Sequence, residues 1–82
     1  MHSYLEKHDS AKNQTRFYKL ALLPNLFSEW TLYHEWGRIR QGGKVRIEWF
    51  VSEDEAKAAL IALEVAKRRR GYWLRPEQLP LL

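Results

Sequence analysis

Three histidines, His2, His8 and His34, are the side chains of this 82-residue sequence best suited to acid–base chemistry near neutral pH. His2 and His8 stand in a polar stretch and His34 inside an alternating apolar run. No pair has the i, i+4 spacing by which a helix presents two imidazoles to a metal. Ser3, Ser10, Ser28 and Ser52 fall at arm, loop or cap positions, without the strand-turn-helix elbow that exposes a nucleophile. Glu53, Asp54 and Glu55 cluster, and the first turn of a helix accounts for them. Cysteine is absent, which removes disulfides, thiolate metal sites and cysteine nucleophiles and suits a reducing compartment. The glycines form neither a dinucleotide fingerprint nor a phosphate loop. The expectation is a non-enzyme with no metal and no cofactor.

The remaining chemistry is cationic. Fourteen Lys and Arg against ten Asp and Glu leave a formal charge of +4, a modest excess that solubility alone would explain. Its placement says more. Arg38, Arg40, Lys44 and Arg46 lie between Trp36 and Ile47 without an intervening acid, and Lys67, Arg68, Arg69, Arg70 and Arg75 surround Tyr72 and Trp73 in a second acid-free stretch. If the two meet in space they form one positive face able to displace counterions from phosphates, with Trp36 or Trp73 available to stack on a sugar or base. Each part also has an ordinary structural use. Lys67 to Arg70 would complement a helix dipole, Trp36 would plug a core, and Arg38 and Arg40 would keep a hairpin edge from pairing with other chains.

The elements that position these residues are legible from period and punctuation. Residues 1–15 are polar and lack a face, and read as a mobile arm. Tyr18, Leu20 and Leu22 alternate with Lys19 and Ala21 as a half-buried strand requires, up to Pro24-Asn25. Trp30, Leu32, His34 and Trp36 share one side of a second strand. Gln41-Gly42-Gly43 predicts a hairpin turn built on positive-φ glycines. The return strand runs from Lys44 to Phe50, with Val45, Ile47 and Trp49 as its core face. Ser52 and Glu55 have the spacing of a capping box, and Ala56, Ala59, Leu60, Leu63 and Ala66 mark the buried stripe of a helix running to about Arg70 and stopped by Gly71. Tyr72-Trp73-Leu74 has the makings of a short edge strand before an irregular tail over residues 74–82. The expected fold is α+β, a small twisted antiparallel sheet of three to five strands with one long helix packed on one face.

Trp36-Gly37-Arg38, the aromatic strand Phe17 to Leu23, the Gly42-Gly43 turn, the Phe50-Val51-Ser52 entry into an alanine-bearing helix and the Gly71-Tyr72 finish together resemble the WGR domain. That small module occurs in eukaryotic poly(ADP-ribose) polymerases and in many bacterial proteins. The similarity covers residues 16–73. It implies a compact antiparallel sheet flanked by a helix and a role in binding nucleic acid. In the polymerases the module helps hold a DNA break end, with the motif tryptophan and arginine near the contact, here Trp36 and Arg38. Arg40 departs from the pattern, since a glycine often stands two residues after the motif arginine.

The sequence therefore predicts a non-catalytic nucleic-acid-binding module of the bacterial cytoplasm, with no membrane association, favouring DNA over RNA. Trp36, Arg38, Arg40, Lys44, Arg68, Arg69 and Arg70 are its expected contacts, and low sequence specificity follows from contacts to phosphate. The rival expectation is a protein–protein adaptor or homodimerising module, using exposed Tyr33, Phe50 or Trp73 and the apolar end of the tail at Leu79 to Leu82.

Overall fold

Alternating apolar residues organise the chain as an antiparallel meander. The computed structural model describes residues 1–74. They form β1 (His2–Asp9), β2 (Gln14–Pro24), β3 (Trp30–Arg38), β4 (Lys44–Phe50), α1 (Glu53–Arg69) and β5 (Trp73–Leu74). The five strands make one sheet in the order β4-β3-β2-β1-β5, and every neighbouring pair is antiparallel. One helix crosses β2, β3 and β4 on one face, as the α+β reading expected.

The core lies between this helix and the sheet. Leu5, Leu20, Leu32 and Leu60 are completely buried, with Tyr18, Leu22 and Ala56 beside them. Each buried leucine contributes about 1.5–3 kcal/mol through the apolar surface it withdraws from water. Trp30, Trp36, Phe50, Ala59, Leu63 and Tyr72 ring this cluster, half-buried. Ala66 of the expected stripe is exposed.

Residues 1–15 are not an arm. Residues 2–9 pair with β2 along the full length of β1, from His2 opposite Ala21 to Asp9 opposite Gln14. Leu5 from this segment is among the most buried side chains, and the Ser3 hydroxyl donates to Glu64 Oε2 of the helix at 2.8 Å. The connection to β2 turns through Asn13 at φ 52°, a conformation that asparagine tolerates better than most residues.

β4 corrects the expected inward face. Val45, Ile47 and Trp49 point away from the helix and are 50%, 43% and 64% exposed. Register dictates this. Trp36 pairs with Lys44, His34 with Arg46, Leu32 with Glu48 and Trp30 with Phe50, so the inward residues of β3 have charged partners on β4 and only Phe50 joins the core.

The helix is closed at both ends by its own sequence. Ser52 Oγ accepts from the Glu55 N–H at 3.2 Å. At the far end Gly71 takes φ +97°, its N–H donates to Arg68 O and the Tyr72 N–H donates to Lys67 O, the paired bonds of a Schellman motif. The turn carries the chain onto β5, where Trp73 pairs with Glu6 and Leu74 with Leu5. The short edge strand expected over Tyr72-Trp73-Leu74 thus forms at Trp73–Leu74, so Leu74 belongs to the sheet rather than to the tail over residues 74–82, the rest of which lies outside the described residues.

Candidate functional site

The site forms where the helix stops short of the sheet. Cross-strand pairing sets Leu5, Tyr18, Trp36 and Lys44 in one row across β1 to β4. The next helix-facing row, two residues farther along each strand, is Lys7, Arg16 and Arg38. Three cations therefore stand side by side on three adjacent strands. Opposed cross-strand residues bring their Cβ atoms to about 4.5–5.5 Å, where like charges repel. Among the described residues no ion pair engages Lys7, Arg16, Arg38 or Lys44.

The helix C-terminus supplies the second cationic group. Lys67 reaches back over the sheet with Nζ 4.5 Å from the Tyr18 ring centroid and 5.9 Å from that of Tyr72. Lys7 approaches Tyr72 from the sheet, with Nζ 6.0 Å from its centroid, and its Cε lies close enough that a Cβ on Gly71 would stand 3.4 Å away. Burial, with the neighbouring Arg70 charge, lowers the Lys67 pKa. Arg68, Arg69 and Arg70 follow Lys67 in sequence and are exposed.

Aromatic rings join the two groups. Tyr18 and Trp36 stack with centroids 5.8 Å apart and planes 16° from parallel, and Tyr72 meets Tyr18 edge-on at 6.3 Å. Trp36 is half-buried: one face of its indole lies on Tyr18 while the side chain keeps part of its surface in solvent. It thus combines the roles of core margin and accessible ring.

Beneath the rings sits a buried polar pair. The Tyr18 hydroxyl and His34 Nδ1 are 3.0 Å apart, and His34 is 3% exposed. A neutral ring that accepts from Tyr18 at Nδ1 carries its proton on Nε2, facing Glu48 Oε1 at 3.5 Å. That separation falls outside hydrogen-bond geometry, and Nε2 has no hydrogen-bond partner among the described residues. Burial lowers the His34 pKa; Glu48 opposes the shift, and Arg46 and Lys67 add to it. Burial, then Glu48, raises the Tyr18 pKa. His2, His8 and His34 do not converge: His8 Nε2 instead lies 3.0 Å from Glu6 Oε1.

The hairpin tip is built by close approach rather than by flexible glycines. Gly42 and Gly43 do not adopt positive φ; Arg40 does, at 70°, and the Gln41 N–H closes that turn on Arg38 O at 3.1 Å. Gly43 is required for space, because a Cβ there would come within 2.6 Å of Trp36 O. Gly37 packs against it, a Cβ on Gly37 falling 3.0 Å from Gly43 Cα. The Trp36-Gly37-Arg38 tripeptide is thereby fixed against the start of β4.

Trp36, Arg38 and Lys44 thus stand together on one rim, with Arg40 exposed on the adjoining turn and Arg68 to Arg70 following Lys67 at the helix end. Sequence reasoning missed Lys7, Arg16, Tyr18 and Tyr72 as members of this rim. The signal lay in the strand register, which no single segment displays. Of the aromatics expected on a protein-binding surface, Phe50 packs on the core and Tyr33 is half-buried and donates to Glu35, while Trp73 is 73% exposed.

The family model of the WGR domain matches residues 1–78, a span that includes β1 and so exceeds the 16–73 expected from motifs alone. A relative from Sinorhizobium fredii (strain NBRC 101917 / NGR234), described as an uncharacterized protein y4dW, is 37% identical over 73 residues. The match takes in 89% of this chain and 36% of that protein, so the chain spans about a third of its relative's length. No described helix is long and apolar enough to cross a membrane.

Proposed function

The chain belongs to the WGR-domain family, and we propose that it is a non-catalytic module that binds nucleic acid through phosphate, at the rim where β1, β2 and β3 meet the end of α1. The observation that carries this reading is the Lys7, Arg16 and Arg38 row. Three cations on adjacent strands repel one another, and an anion that bridges them converts that repulsion into affinity. In this reading Lys44, Arg40 and Arg68 to Arg70 add further phosphate contacts, and Trp36, stacked on Tyr18, offers a ring edge for a sugar or base.

Contacts of this kind read backbone shape rather than base sequence, so low sequence specificity follows. DNA is the favoured polymer, in keeping with the module's use at DNA break ends in the polymerases, and the cytoplasm is the proposed place of action. The test is a titration of labelled duplex and single-stranded oligonucleotides over a salt series. With three or four phosphates neutralised, log affinity falls against log salt with a slope of about −3 to −3.5 on duplex. Absence of binding at low salt, or binding indifferent to salt, overturns the proposal.

A further inference from the structure

β4 is an outer strand of the sheet. Among the described residues its far edge meets no other strand, although the strand is seven residues long and free of proline. Exposed edges of this length invite pairing, and proteins commonly block them with a charge on the inward face. Arg46 looks like such a block. It is not alone, however: Glu48, two residues on and on the same face, lies 3.3 Å from it.

That spacing makes the strand complementary to itself. If a second β4 runs antiparallel with Ile47 opposite Ile47, then Arg46 faces Glu48 of the other copy, twice by symmetry. On the opposite face Val45 meets Trp49, again twice, around the paired isoleucines. These are the exposed apolar residues that the helix leaves uncovered. We propose that the chain forms a twofold dimer by pairing β4 with β4 of a second copy, in the register centred on Ile47, so that two five-stranded sheets become one of ten strands.

The helices permit this. The twofold axis of an antiparallel pair stands perpendicular to the sheet, so both helices lie on one side. Each crosses β2 to β4 and is centred near β3; at one and a half strand spacings from the axis, the two helices run about 14 Å apart. Close-packed helices approach to about 8–10 Å, so no clash arises. Arg46 is 68% exposed and able to leave its own Glu48 for that of the partner. The dimer also turns both cationic rims to the same side, with their Lys44 positions about 20 Å apart along the strand direction.

The experiment is sedimentation velocity on the full chain from micromolar to millimolar concentration, without nucleic acid, so that its outcome is independent of the binding proposal. The wild type is expected to shift from monomer to dimer with concentration. Arg46→Glu, which faces Glu48 with another acid twice over, weakens dimerisation at least about tenfold while the circular dichroism spectrum is kept. Arg46→Glu with Glu48→Arg restores the complementary pattern and returns the dissociation constant to within about threefold of wild type. Ile47→Arg, which sets two cations against each other at the axis, serves as a second disruptive variant independent of Glu48. A chain that stays monomeric throughout, a dimer that neither Arg46→Glu nor Ile47→Arg weakens, or a folded double variant that fails to recover overturns the proposal.

Discussion

The Lys67 ammonium stands 4.5 Å from the centre of the Tyr18 ring, and this contact locks the end of the helix to the middle of the sheet. A cation over a partly desolvated ring contributes about 1–2 kcal/mol. Lys67→Ala is therefore expected to lower stability by about that amount in urea unfolding, and Lys67→Arg, which keeps a cation able to lie over the ring, to lose less than half of it.

His34 makes the fold sensitive to acid. Its folded-state pKa is lowered, chiefly by burial, so the unfolded chain takes up a proton more readily than the folded one. Stability from the neutral ring is complete above the unfolded value of about 6.5 and is lost as pH falls below it. Urea unfolding at pH 8, 7, 6 and 5 should show this decline in the wild type. His34→Gln, which can still accept from the Tyr18 hydroxyl, is expected to flatten the profile over that range.

Arg40 occupies a backbone conformation that glycine adopts without penalty, at φ 70°. Arg40→Gly should stabilise the fold by about 1 kcal/mol. It should at the same time reduce the salt dependence of duplex binding by about one in the log–log slope, if this side chain holds a phosphate. Opposite signs in the two measurements separate its structural from its binding role.

On the rim, Arg38→Glu combined with Lys44→Glu is expected to preserve the circular dichroism spectrum and to reduce the magnitude of the salt slope by about two. A double variant that binds duplex with an unchanged slope would locate the phosphate contacts elsewhere on the chain.

Trp49→Ser and Leu32→Ala test the orientation of the sheet. Trp49 is exposed in the single chain, and at concentrations where the chain is monomeric its replacement should change stability by no more than about 0.5 kcal/mol. Leu32 is fully buried, and truncating it should cost about 2–5 kcal/mol, a large share of the roughly 4–12 kcal/mol expected for a domain of this size. Urea midpoints of the two variants check both expectations.

Most of the fold was legible because its signals are local. Tyr18, Leu20 and Leu22 alternate strongly enough to announce a buried face, and Ser52 and Gly71 mark the helix ends by side-chain and backbone chemistry that needs no partner. β1 was hidden because its inward face is Ser3, Leu5 and Lys7, a single apolar residue between two polar ones. The polar pair is explained only by what covers it, Glu64 for Ser3 and Tyr72 for Lys7. The alternation of β4 was clear but its sense was not: the hairpin register, which no residue of β4 reveals alone, decides which face turns inward. The candidate site shared this fate. The cationic segments were visible, but the row formed by Lys7, Arg16 and Arg38 exists only once three strands are aligned.

The pairing of Leu74 with Leu5 places the outgoing strand directly beside the incoming one, running the opposite way. A host polypeptide can accommodate such a unit the way a cord carries a bead threaded from one side, since Leu74 lies only about 14 Å from Met1, one strand spacing across and four residues along β1, and the loop-closure entropy involved is small. In the relative, which is nearly three times the length of its matched segment, the matching segment is carried within a longer chain. By the same geometry, a circular permutant that joins these two strands and opens between Asp9 and Gln14 would leave every strand pairing of the sheet in place.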